Sequence, residues 1–265
     1  MFGTKPFDIN DINSFPIAGP RSSNLTLDVV TQTIKICNDD GNNPALIDGT
    51  EENVYHQLVT TLKILEYINS KKPFSLGIHP FIYFYSDLGK HKVASYYGFL
   101  LFIKDIIQKN KLNLFTENRE KFEQAIFQYS FLVQQIVRRY RQSKKAYIPI
   151  KNYFNSILEI IVENNDFLPE QIITLLKDKD EFKFLQTEIV DNESVEIKGN
   201  FSRGRKQQIK LRTYASHLPK CPICGGYIDN NSISVDHICR KQDGGSNASD
   251  NGQITHLYCN TTYKN

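Results

Sequence analysis

The stretch Cys221-Pro-Ile-Cys224-Gly-Gly226, answered later by His256-Leu-Tyr-Cys259, decides how the last part of this chain folds. Two thiolates three residues apart on a tight turn can grip one metal ion, and glycines let the chain reverse there. One such pair holds only half of a tetrahedral site. The second pair, at the same spacing, offers the other half, so Cys221, Cys224, His256 and Cys259 form a set suited to Zn2+. Four protein ligands close the site and make it structural, because a catalytic zinc keeps an open position. The competing reading is two unrelated motifs of buried thiols in a reduced protein. The matched gaps, with Pro after the first Cys and Gly-Gly after the second, weigh against it. Of five cysteines, four crowd into this end, which argues for a local metal site and against a disulfide framework. Cys239 is the spare and takes no ligand role.

Between the half-sites lie Ser232-Ile-Ser-Val-Asp236-His237-Ile-Cys-Arg-Lys-Gln-Asp-Gly-Gly245 and Asp250-Asn251-Gly-Gln-Ile-Thr-His256. Ile233, Val235 and His237 alternate with Ser234 and Asp236, as on a half-buried strand. Asp236 and His237 then leave on opposite sides unless the strand ends or bends there. A second strand is expected from Gln253 to His256, and a helix from near Tyr258. The result is a small ββα unit clamped by zinc.

On these residues, roughly 214 to 265 resemble the HNH, or ββα-metal, endonuclease superfamily. The family pattern is Asp-His ending the first strand, an Asn after the loop, and a His or Asn opening the helix beside the second zinc pair. His237, Asn251 and Asn260 match in turn, making an HNN version in which Asn stands for the last His. The resemblance implies hydrolysis of phosphodiesters, leaving a 5′-phosphate and a 3′-hydroxyl, with DNA as substrate. The residue types agree with that chemistry, which needs a base to activate water and a divalent cation to neutralise charge. A neutral imidazole such as His237 is available near pH 7. Asp236 and the carbonyl oxygen of Asn260 are hard ligands for Mg2+ or Mn2+, with positions left for phosphate and water. Asn251 is expected to brace the loop through side-chain bonds to backbone and so orient His237. Helix capping is the competing reading of Asn260.

Charge is unevenly spread. From Lys198 to Asn265 there are ten Lys and Arg against four Asp, a net of +6, and the remaining 22 basic and 25 acidic residues leave −3. A polyanion is the expected contact, and a solvated basic surface is the alternative. Arg203, Arg205, Lys206, Lys210 and Arg212 before the module, with Arg240, Lys241 and Lys264 inside it, are the candidate phosphate contacts. Such contacts set affinity without reading sequence. A second basic run, Arg138 to Lys145, also suits a helix C-terminus. His56, His79, His91 and His217 are isolated and read as structural or surface residues.

Upstream the patterns are helical. Helices are expected over Leu27 to Cys37 after a cap at Asn24 or Thr26, and over Glu51 to Asn69, where Val54, Leu58, Leu62, Leu65 and Ile68 recur at helical spacing. Further helices are expected over Ala94 to Lys109, Glu117 to Tyr140, Ile150 to Asn164 and Pro169 to Lys177. Residues 75 to 86 carry aromatic and β-branched side chains that suit either state, and a short extended segment is expected. Asp191 to Ser194 reads as a turn or linker. The fold is therefore mainly α: a helical domain over 1–197 for regulation, partner or substrate binding, then a basic linker and nuclease module over 198–265. No apolar run reaches the ~20 residues of a membrane span. The N-terminus has neither signal nor transit character, so a cytoplasmic location is expected.

The whole also resembles, through residues 75 to 86 and 253 to 260, the HNH half of bacterial ParB-like/HNH restriction and defence proteins. Of the ParB-like signature only the fragment Ile47-Asp-Gly-Thr-Glu51 is present. That resemblance implies antiphage defence or restriction, with a separate sensor or ATPase-type protein partner. The alternative is a noncatalytic zinc-containing protein that binds nucleic acid or another protein.

Overall fold

Helix α4 (Val93–Gln108) is apolar on nearly every face, and several helices pack against it. In the computed structural model, which describes residues 8, 10–20, 25–39, 49–141, 143–164, 169–187 and 200–264, α8 (Ser143–Glu163) lies alongside α4. Gly98 permits the close crossing, since a Cβ there would stand 2.6 Å from Cγ2 of Ile150. Phe102 of α4 stacks on Phe122 with centroids 5.5 Å apart and meets Phe115 and Phe154. Such pairs add about 0.5–1.5 kcal/mol each beyond the area they bury.

The single helix expected from Glu117 to Tyr140 is instead α5 (Leu112–Glu117), α6 (Arg119–Gln128) and α7 (Phe131–Tyr140). Two bends, at Asn118 and at Tyr129 and Ser130, keep Phe122, Ile126, Val133 and Ile136 against a curved core that a straight rod would leave. Arg141, left-handed at φ 59°, stops α7. Helix α8 begins before the expected start because Pro149, which removes one backbone donor, is carried inside it. The stretch Pro169 to Lys177 opens as a 3-10 turn and continues as α9 (Ile172–Lys177). The short extended segment expected over residues 75 to 86 does not form: residues 75 to 79 are irregular, with Gly77 left-handed at φ +59°, and Pro80 then starts a short helix, α3 (Pro80–Phe84), the first helical position being where its fixed φ fits. The expected cap at Asn24, the helix stop at Asp40-Gly41, the Asp191 to Ser194 turn or linker and the boundary near 198 lie outside the described residues.

Helices α1 (Leu25–Asn38) and α2 (Glu51–Ile68) correct the expected stripe. Leu58 and Leu62 are 48% and 57% exposed, whereas Gln57 is 6% and Ile64 7%. Polar anchoring explains the rotation. Nδ2 of Asn38 donates to the Gln57 carbonyl and to Oγ1 of Thr61, both at 3.1 Å, and Thr61 in turn donates to the Gln57 carbonyl. Ile64 and Ile68 complete the inner face, and Leu58 and Leu62 are left as a second, outward stripe.

The small sheet is an antiparallel hairpin of β1 (Ile233–His237) and β2 (Gly252–His256), paired Ile233 to His256, Val235 to Ile254 and His237 to Gly252. It follows α10 (Arg203–Ser216), capped by Ser202, and ends in the helical turn Cys259–Tyr263. Leu211, Ala215, Leu218, Tyr227 and Tyr258 join the main core, so this end is docked on the helical body. Among the described residues, no helix is long and apolar enough to cross a membrane.

The rotation of α2 sets an expected outcome: Ile64→Ala lowers the unfolding free energy by about 2–5 kcal/mol, and Leu62→Ser by no more than about 0.5 kcal/mol. Urea denaturation monitored by circular dichroism reads both, and the reverse order would restore the rejected stripe.

Candidate metal centre and active site

The turn at Cys221 closes through two backbone bonds, Cys221 N–H to the Gly226 carbonyl and Gly225 N–H to the Cys221 carbonyl, each 2.8 Å. Gly225 needs its freedom, at φ +70°, and Gly226 needs its bareness, since a Cβ would meet Nε of Arg119 at 2.5 Å. Ligand atoms of Cys221, Cys224, His256 and Cys259 all lie within 4.8 Å of one another, and all four residues are buried. Tetrahedral Zn2+ with sulfur at ~2.3 Å requires sulfurs about 3.8 Å apart. The cluster fits. Nδ1 of His256 faces Sγ of Cys224 at 3.3 Å and of Cys259 at 3.8 Å, and Nε2 lies 3.0 Å from the Tyr227 carbonyl. A proton held on Nε2 by that carbonyl leaves the Nδ1 lone pair for a metal. Burial and the nearby Arg119 charge lower the His256 pKa and keep the ring neutral, as a ligand must be.

The seat of this centre is built by the helical body. Arg119 and Glu123, each 1% exposed by side chain, pair on α6 at 2.7 Å. The Arg119 guanidinium also donates to the carbonyls of Leu76 and Gly77, and its Nη1 is 3.4 Å from Nδ1 of His256. Glu123 accepts from the Tyr83 hydroxyl at 2.8 Å and from the Tyr227 N–H at 2.6 Å. Burial alone would lower the Arg119 pKa, and the Glu123 charge more than reverses this, so the guanidinium stays charged. Gly77, at φ +59°, lets the His256 ring in, since a Cβ would stand 2.8 Å from its Cδ2. Ser75 takes the Tyr258 N–H on its carbonyl, and its hydroxyl bonds that of Ser232. None of this was read from the sequence. One signal was present: 119, 122, 123 and 126 share a helix face, placing two charges on an apolar stripe.

On β1 the faces are reversed from the expected half-buried pattern. Val235 is 69% exposed and Asp236 only 8%. The cause is the terminal turn. Nδ2 of Asn260 donates to the Ser234 hydroxyl at 2.8 Å, and Nζ of Lys264 donates to Oδ2 of Asp236 at 2.5 Å and to the His237 carbonyl at 3.3 Å. Two strand residues advance about 6–7 Å and four helical residues about 6 Å, so these pairs match in register. Gln253, directly across the hairpin, also donates to Oδ2 of Asp236 at 3.1 Å. Burial raises the Asp236 pKa, but bonds from Lys264 and Gln253, the Lys264 charge and the His237 N–H outweigh it and hold the carboxyl below its ordinary value.

His237 is half-buried, with Nε2 3.2 Å from Oδ1 of Asn247. Asn251 closes the intervening loop: Oδ1 accepts from the Cys239 N–H at 2.8 Å, and Nδ2 donates to the carbonyls of Cys239 and Ser246 at 3.0 and 2.7 Å. Asp236, His237, Asn247, Asn251 and Gln253 line one concavity of about 450 Å3, because Asp236 and His237 stand at the strand's end. Asn247 and Gln253 were not singled out from sequence. Neither lies at a motif position, and only the folded hairpin brings them in.

The candidate phosphate contacts divide. Arg203, Lys206, Lys210 and Lys241 are exposed, and Arg205 is half-buried behind the Ser202 cap. Arg212 is paired with Asp87 of the body at 3.0 Å, Arg240 donates to the Lys264 carbonyl, and Lys264 holds Asp236.

Residues 221–265 match the family model described as HNH endonuclease, so this end of the chain is similar to that family over the hairpin and its metal cluster. No match to a curated protein or to a solved structure was found.

Arg119→Ala leaves Glu123 charged and buried without its partner, which is expected to cost about 3–5 kcal/mol. Elemental analysis of the wild-type chain is expected to find zinc, with a lower content in this variant. A strong chelator that removed the zinc and left Tm unchanged would contradict a structural role for the metal.

Proposed function

We propose that the chain is a metal-dependent DNA endonuclease in which His237 activates water and Asp236 and Asn260 hold Mg2+ or Mn2+. The observation that carries this reading is the convergence of Asp236 and His237 on one concavity at the end of β1, in a hairpin matched by the HNH endonuclease model. With Nε2 donating to Asn247, Nδ1 of His237 keeps a lone pair that can take a proton from water. Asn251 holds the loop that carries Asn247, and so acts on His237 by position. Asp236, ionised and turned toward the terminal turn, and Asn260 on that turn supply hard oxygens suited to a small divalent cation. Bound there, the cation would neutralise charge on the scissile phosphate. Products with 5′-phosphate and 3′-hydroxyl ends are expected.

Exposed Arg203, Lys206, Lys210 and Lys241 are proposed to grip the DNA backbone, which makes binding weaken as salt rises. The helical residues 1–197 are proposed as the part that regulates or receives a partner, and 198–265 as the part that cuts. The setting we favour is bacterial defence or restriction, with a separate sensor or ATPase-type partner, on the resemblance of the chain to that class of HNH protein. Containment of a nuclease within its own host supports such gating.

Supercoiled plasmid with Mg2+ or Mn2+ tests the reading. His237→Ala is expected to reduce cutting by about 10²–10⁴-fold with zinc content and Tm unchanged. Equal cutting by both proteins would remove His237 from the mechanism. DNA binding without cutting under either metal would favour a noncatalytic zinc module.

A further inference from the structure

We infer that Lys264 is a positioning residue with two alternative partners, Asp236 in the free protein and a DNA phosphate in the complex, so that DNA and the divalent cation bind cooperatively. This rests on the endonuclease reading above and adds to it how the site is loaded.

Three observations carry it. Oδ2 of Asp236 is already occupied by the Lys264 ammonium and by the Gln253 amide, so in the free protein the carboxylate has a counter-ion of its own. The base of Lys264 is fixed, through its N–H to the Cys259 carbonyl and through Arg240 to its own carbonyl, while the ammonium ends a flexible four-carbon stem. Its side chain is 21% exposed, beside the exposed Arg240, so the ammonium can turn to the surface where a phosphate backbone would run.

The consequence follows from charge. A divalent cation entering at Asp236 meets a like charge already in contact with the same carboxylate, and the two repel. A phosphate arriving beside the terminal turn gives the ammonium another anion. Its departure leaves Asp236 to the divalent cation, with Gln253 still holding Oδ2. Binding free energies are reciprocal, so DNA tightens cation binding by the same factor as the cation tightens DNA binding. A surface lysine that only grips phosphate would have no such coupling.

The experiment uses the full zinc-loaded chain in a His237→Ala background, which keeps the DNA intact. Mn2+ binding is followed by electron paramagnetic resonance with and without a short duplex, and an Asp236→Asn sample subtracts ions held by DNA or elsewhere. The duplex is expected to tighten Asp236-dependent Mn2+ binding by about tenfold or more. Lys264→Met is expected to tighten it about fivefold without DNA and to remove most of the duplex effect. Lys264→Gln, which keeps a donor without the charge, should behave as Lys264→Met does, and Lys264→Arg should keep the coupling. Weaker Mn2+ binding in both neutral variants would show a mere tie between the terminal turn and β1 and overturn the inference, as would binding indifferent to residue 264. Absence of any Asp236-dependent Mn2+ binding, with or without DNA, would overturn this inference. Cutting assays on the His237-intact protein then separate it from the endonuclease reading: metal-dependent cutting leaves that reading standing, and no cutting overturns it as well.

Discussion

The ion pair of Arg119 and Glu123 is the interaction on which the two ends of this molecule depend. Both groups are withdrawn from water, a cost that their attraction recovers only when the remaining donors and acceptors are also used. Here they are. Arg119 spends its guanidinium on Glu123 and on the carbonyls of Leu76 and Gly77, and Glu123 takes the Tyr83 hydroxyl and the Tyr227 N–H. Tyr227 in turn gives its carbonyl to His256. The charges that hold the helical body thus reach the metal cluster in two steps, through contacts that share partners and loosen together.

From that joint the geometry passes to the concavity. His256 ends β2 and Cys259 opens the terminal turn, so a metal that grips both fixes the angle between strand and turn. Asn260 and Lys264 project from the turn onto Ser234 and Asp236 of β1. Zinc would then stand apart from the chemistry proposed for Asp236 and Asn260 and still determine where those two residues are. Two metals would have two separate duties in one small unit, a soft sulfur-rich cage for shape and a hard oxygen pair for charge.

The reversal of β1 and the rotation of α2 share one cause. In each case apolar side chains face solvent because a polar contact on the other face is more demanding: Asp236 with Lys264 and Gln253, and Asn38 with Gln57 and Thr61. An apolar side chain loses modestly by exposure, whereas a buried polar group without a partner costs roughly 1–3 kcal/mol and needs one specific neighbour. Hydrophobic periodicity sees the first quantity and is blind to the second.

By itself the sequence determined what depends on short spacing. The Cys-x-x-Cys and His-x-x-Cys pairs mark the metal set because ligands three residues apart are neighbours in a compact turn, and the helical segments are legible because their period is local. The order strand, loop, strand, helical turn was readable for the same reason. Tertiary structure alone decided where α5, α6 and α7 break, which face of α2 turns inward, that Asp236 sits on the inner face of β1, and that Lys264 reaches Asp236. It also decided that Arg119, Glu123 and the Ser75 to Gly77 segment form the seat of the zinc centre. Those contacts join residues far apart in the chain, and their energy comes from pairing buried polar groups, which no window of neighbouring residues contains.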